Sequence, residues 1–147
     1  MTGTVNLAKL CVGAEGVEDL LDWQVRLRAI RKGRGEPQEH RHITRMWPKR
    51  EAEVLNGGSL YWVFKGLMLA RQRIIRLEEV IGEDGIRRCG IVLDDPVIRV
   101  QAVPRRPFQG WRYLPVAEAP ADLDADAARE EPLPPQLATE LAALGVR

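Results

Sequence analysis

Between residues 59 and 103 four apolar runs follow one another with very short breaks. Ser59-Leu60-Tyr61-Trp62-Val63-Phe64-Lys65 is apolar at odd and even positions alike. That is the pattern of a strand covered on both faces, hence central in a sheet. Gly66 follows directly, then the run 67–81. Glu83-Asp84-Gly85 is a hairpin turn into 86–93. Residues 97–103 alternate Val97, Arg99, Gln101 and Val103 against Ile98, Val100 and Ala102, and end at Pro104. The run 67–81 is ambiguous alone, since Leu67, Ala70, Ile74, Leu77 and Ile81 also fit helical spacing. Its flanks favour a strand: a strand and Gly66 precede it, and a hairpin turn follows. Connections this short make neighbouring strands antiparallel.

The N-terminal half adds two helices to this sheet. Residues 5–12 read as a strand with Val5, Leu7 and Lys9 on one side, ended by Gly13. Residues 17–32 read as a helix with Val17, Leu20, Leu21, Val25, Leu27 and Ile30 as its buried stripe. Glu15, Glu18 and Asp19 at its start and Arg28, Arg31 and Lys32 at its end complement the helix dipole. Gly33, Gly35 and Pro37 stop it. Residues 40–46 read as a second strand. Pro48 opens a short helix that Asn56-Gly57-Gly58 ends. The expectation is an α+β fold of six strands and two helices. Its small, mostly antiparallel sheet curls toward a partly open β-barrel.

Charge divides the chain. Residues 1–115 carry 20 basic and 14 acidic side chains, hence +6, and form the expected α+β domain. Residues 116–147 carry 2 basic and 7 acidic, hence −5, and have no aromatic residue. This Ala/Pro-rich acidic tail has too little apolar surface to offset its ordering entropy. Leu137, Leu141 and Leu144 mark one short helix within it. The overall charge of +1 therefore conceals a basic domain with an acidic tail.

Other classes are disfavoured. Cys11 and Cys89 lie far apart with no Cys-x-x-Cys spacing, so the common zinc frameworks are not expected. The most apolar stretch, 60–70, contains Lys65 and Gly66 and falls short of the roughly 20 residues of a membrane helix. No basic segment leads into an apolar run, the mark of an export signal. A cytoplasmic protein with reduced thiols, no membrane association and no cofactor is expected.

Arginine outnumbers lysine 18 to 4, and two stretches concentrate it. From Arg26 to Arg50 nine basic residues, including Arg45, Lys49 and Arg50, face only Glu36 and Glu39. They would attract phosphates if they shared one surface. Pro104-Arg105-Arg106-Pro107-Phe108-Gln109-Gly110-Trp111-Arg112-Tyr113-Leu114 reads as a rigid loop in which three arginines alternate with three aromatics. Arginines can hold phosphates while aromatics stack bases. Arg71 and Arg73 would share a face if 67–81 is a strand. His40 and His42 would do the same on theirs, but no third ligand is near in sequence, so no metal is expected. No nucleophile elbow, phosphate-binding glycine loop or dinucleotide fingerprint is present. Glu51, Glu53 and Asp84 remain open as acids or bases.

The stretches from Asn56 to Gly66 and from Arg105 to Leu114 resemble an uncharacterised alphaproteobacterial family known as a domain of unknown function. More distantly, the layout is similar to the PUA-like superfamily, whose ASCH and EVE members are small, partly open β-barrels. That resemblance implies binding of RNA or a modified nucleobase. ASCH domains carry Gly-x-Lys-x-x-Glu-x-Arg at this turn. Here Gly57 is kept, but Ser59, Trp62 and Phe64 stand at the three polar positions. The resemblance therefore extends to architecture, which does not fix function.

The leading expectation is an RNA- or nucleotide-binding module without catalysis. Arg45, Lys49, Arg50, Lys65, Arg71, Arg73, Arg105, Arg106 and Arg112 would supply its basic face, and Trp47 or Trp111 would stack a base. The alternatives are a small enzyme acting on nucleic acid or a nucleotide, with Lys65 or His42 near a pocket, and a protein–protein adaptor working through residues 116–147.

Overall fold

The short breaks between apolar runs set the topology. Lys65 (φ 47°) and Gly66 (φ 87°) both take left-handed backbone conformations and reverse the chain in two residues. This matches the twist of a tight hairpin, so β3 (Ser59–Phe64) and β4 (Leu67–Ile81) pair antiparallel. The flanking turns, rather than the helix-like spacing, decide 67–81. The structure, a computed structural model, describes residues 3–106 and 108–123.

β4 is the spine. Its first half lies between β3 and β6 (Ile98–Pro104), and its second half pairs with β5 (Arg87–Leu93). β2 (His40–Thr44) extends the sheet beyond β5. On the other side β1 (Val5–Leu10) runs parallel to β3, and β7 (Trp111–Pro115) runs antiparallel to β1. The order is β2-β5-β4-β3-β1-β7, with β6 beside β4. Only the β1–β3 pairing is parallel, and β3 is central and buried at every position.

The sheet curls but stays open. β2 and β7 do not pair, yet the loop after β2 reaches β7. The Trp111 indole N–H donates to the Met46 carbonyl at 2.8 Å, and the Arg50 amide donates to the Tyr113 hydroxyl at 3.1 Å. Inside the curl, Val5, Leu7, Leu60, Trp62, Phe64, Ile74, Ile91, Leu93 and Trp111 form the main core. The helix α1 (Val17–Gly33) adds Val17 and Leu20, and the single turn α2 (Glu51–Val54) adds Val54. A second cluster on the outer face joins Ala8, Tyr61, Val63, Met68, Val100 and Leu114.

Two expectations are corrected. The stretch 104–114 is a loop only in its first part; its second part is β7, which makes seven strands rather than six. Five residues of alternation after Gly110 are too short a signal to separate from the loop's prolines and arginines. On α1, Val25 and Ile30 are exposed, and the buried positions are Val17, Leu20 and Gln24. The inward face at period 3.6 runs through a glutamine rather than through every apolar residue.

Residues 116–123 lie on the sheet. A 3-10 turn, Val116–Glu118, leads to Ala121, whose carbonyl accepts from the Gln101 amide at 2.8 Å. The Leu123 amide donates to the Arg99 carbonyl at 2.9 Å. The expected helix at Leu137, Leu141 and Leu144 lies outside the described residues.

Gly58 fits where no side chain can. A Cβ there would stand 2.4 Å from the backbone oxygens of both Val5 and Val54. Backbone cannot swing aside as a flexible side chain can. Gly58→Ala should therefore destabilise the fold by about 3 kcal/mol or more, read as a lower urea midpoint. An unchanged midpoint would contradict this packing.

Candidate functional site

Three arginines without carboxylate partners among the described residues lie at and just before the start of β7. Alternation along β7 turns Trp111 and Tyr113 inward and Arg112 outward, next to the loop that carries Arg105 and Arg106. Phe108 is half-buried, with the Arg105 guanidinium carbon 5.7 Å and that of Arg112 5.4 Å from its ring centre. Both distances suit cation–π contact. Arg112 also donates to the Gln109 carbonyl at 2.7 Å and the Trp111 carbonyl at 3.0 Å. The Arg105 amide donates to the Gly66 carbonyl at 2.8 Å, which ties this loop to the β3–β4 turn. Arg106 is exposed. None of the three arginines has a carboxylate partner among the described residues.

About half of the arginines elsewhere among the described residues meet a carboxylate; Arg26, Arg31, Arg34, Arg45, Arg73 and Arg99 do not. Arg41 pairs with Glu78, Arg50 with Glu53, Arg76 with Glu39 and Glu78, Arg87 with Glu79, and Arg88 with Asp84. Arg71 and Arg73 share the outer face of β4, as a strand requires. Arg71 is held by both Asp122 carboxylate oxygens, at 2.8 and 2.7 Å, and by the Ser59 hydroxyl at 2.9 Å. Arg73 is exposed and unpaired among the described residues. Lys65 pairs with Glu15 at 3.2 Å.

The basic run from Arg26 to Arg50 does not form one surface. Burial, then the charges of Arg31 and Arg28, lower the His40 pKa. Arg41 and Arg31 line a 160 Å³ cleft with Glu36, Glu39, Arg76 and Glu78, where ion pairs satisfy most charges. Arg45 and Lys49 are exposed and unpaired among the described residues. They lie in the loop that Met46 and Arg50 fasten to β7. These contacts fasten the 45–50 loop to the inward side chains of β7, whereas Arg112 points outward.

The tryptophans are already engaged. Trp111 is 3% exposed, its N–H satisfied by Met46. Trp47 donates to Glu51 at 2.6 Å, and the Arg87 guanidinium lies 4.5 Å over its ring. Phe108 is the ring between the guanidinia of Arg105 and Arg112.

Inside the curl lies a polar group that sequence reasoning missed in part. The Gln72 carboxamide oxygen accepts from Trp62 Nε1 at 2.9 Å and Gln24 Nε2 at 2.8 Å. Its nitrogen donates to Gln24 Oε1 and to the Asp94 carbonyl, each at 3.0 Å. The signal was a glutamine on each inward face, at Gln24 and Gln72. His40 and His42 share the inner face of β2, as their spacing predicted. Trp23 meets His40 edge-on at 6.0 Å, and Trp62 meets His42 edge-on at 5.3 Å. Burial, then the nearby Arg31 and Arg28 charges, lower the His40 pKa to about 4. Burial, then Lys9 and His40, lower that of His42 to about 4. No group of three metal-ligating side chains occurs among the described residues. Cys11 and Cys89 are free, and burial raises each thiol to about 11, which makes them poor nucleophiles.

A family model described as "Protein of unknown function (DUF1489)" matches residues 7–147. The chain belongs to this family. The match runs from β1 of the DUF1489 chain past β7, so it spans both the loop around Phe108 and the histidine pair. No curated protein and no solved structure matches it. No helix among the described residues is long and apolar enough to cross a membrane.

Proposed function

We propose that this chain is a cytoplasmic, PUA-like module that binds RNA or a nucleotide without catalysis, meeting phosphates with Arg105, Arg106 and Arg112. One observation carries this reading. The Arg105 and Arg112 guanidinia flank one half-exposed phenyl ring, Arg106 beside them is exposed, and none of the three has an acidic partner among the described residues, whereas Arg41, Arg50, Arg71, Arg76, Arg87 and Arg88 each have one. An arginine already paired with a carboxylate loses that pair when it meets phosphate; an unpaired one does not. Phe108 supports the reading as a stacking surface for a base. The free, buried thiols support a reducing compartment.

The test compares binding of mixed-sequence single-stranded RNA by the wild type, by R105Q/R106Q and by R87Q at low salt. The double variant should lose roughly ten-fold or more in affinity, and R87Q should stay near wild type. Equal losses in both variants would oppose the assignment, and so would no RNA binding by the wild type at low salt.

A further inference from the structure

His40 is 3% exposed, and both of its ring nitrogens lack a hydrogen-bond partner. Nε2 of half-buried His42 and Nη1 of Arg28 are likewise buried and unpartnered. Such orphaned groups are uncommon, because each costs about 1–3 kcal/mol when desolvated without a bond. Four of them around one pair of side chains mark a place built to hold something. Arg28 does not resolve the deficit, since its Nη1 stands 3.9 Å from the exposed Asp95 carboxylate.

The surroundings define what fits. Lys9 of β1 sits in register with Trp62 on one side and Trp111 on the other, so it lies on the inner face. It is partly buried and forms no hydrogen bond or ion pair among the described residues. Its charge reaches His42, and those of Arg28 and Arg31 reach His40. These three charges are all positive. Glu39, next to His40 in the chain, is held by Arg76, and Asp95 faces Arg28 from the surface. Unpartnered buried nitrogens beside the cationic side chains of Lys9 and Arg28 favour an anion.

We propose that the interior face formed by Lys9, Arg28, His40 and His42 is a binding site for a small oxyanion, a carboxylate or a phosphate. The anion would accept from Lys9 Nζ, Arg28 Nη1 and the imidazoles, and would rest against the edge of Trp62. This site is inside the curl and separate from the Phe108 loop on its outside. It does not depend on RNA binding there.

The experiment is a pH titration of both imidazoles by 15N-resolved NMR on the full chain. It is run in chloride, then with saturating inorganic phosphate or acetate at constant ionic strength. A bound anion favours the charged imidazole, so both pKa values should rise by about 1 unit. A rise with phosphate alone or with acetate alone identifies which oxyanion the site takes. K9M should abolish the rise while R105Q/R106Q keeps it, and K9R should restore it if K9M perturbs folding. Values unmoved by either anion, or moved equally in K9M, would overturn the proposal and leave the orphaned nitrogens to ordered water.

Discussion

Lowering the pH from 7 to 5 should cost the folded chain about 2 kcal/mol through His40 alone. The histidine has a folded pKa of about 4 against an ordinary value of 6.5. At pH 7 it is neutral in the folded chain and mostly neutral in the unfolded one, so it contributes little to the pH dependence there. Between 6.5 and 4 the unfolded chain takes up a proton that the folded chain refuses. Stability therefore falls through that window and levels off below it. His42, also at about 4, acts in the same direction. The two are coupled, because His40 is among the causes of the His42 shift, so their effects do not simply add. Carboxylates act later. Glu39 and Glu53, held down by hydrogen bonds from Arg76 and Arg50, lose their stabilising pairs only as pH falls below the ordinary value of 4.5. The interval from pH 7 to 5 thus isolates the histidines. Urea unfolding at each pH reads it directly, and H40F should flatten the curve. Wild-type stability that is flat across this interval would mean that the imidazoles are hydrated.

Gln72→Leu should destabilise the fold by about 3–5 kcal/mol. Every hydrogen-bonding position of the Gln72 amide is used, twice as acceptor and twice as donor. Leucine would leave Trp62 Nε1, both polar atoms of Gln24 and the Asp94 carbonyl without this partner. Gln72 is fully buried, Gln24 and Trp62 are each 1% exposed, and little water can replace the lost bonds. The same network joins α1, β3, β4 and the turn after β5, so its loss loosens four elements together. Gln24→Leu combined with Gln72→Leu should cost less than the two single changes summed, since one buried pair is removed only once. Chemical denaturation of the three variants supplies the cycle. A Gln72→Leu loss below about 1 kcal/mol would show that the amide is not the tie between these elements.

The sheet was legible where turn chemistry and strand pattern agreed. Glu83-Asp84-Gly85 and Gly66 placed the hairpins, and the two-sided apolarity of Ser59–Phe64 placed the central strand. β7 escaped because five alternating residues follow a loop rich in proline and arginine. The face of α1 was misread because a buried hydrogen bond, Gln24 to Gln72, outranks the apolar count when it sets which side turns inward. Legibility of the candidate site was more limited. Sequence marked which residues are basic but not which have partners. Arg71 and Arg105 look alike along the chain, and only folding brings Asp122 to the first and leaves the second beside Phe108. The same holds for His40: its spacing from His42 indicated a shared face, while its lack of partners depends on what α1 and β1 bring across the core.

Whether Arg105 and Arg106 meet phosphates is read most directly from the salt dependence of RNA binding. Each phosphate contact on a single strand contributes about 0.7 to the slope of log affinity against log salt. The wild type should weaken steeply with salt, and R105Q/R106Q should show a slope shallower by about 1.4. A slope near zero in the wild type, or the same slope in both proteins, would contradict phosphate recognition by these arginines.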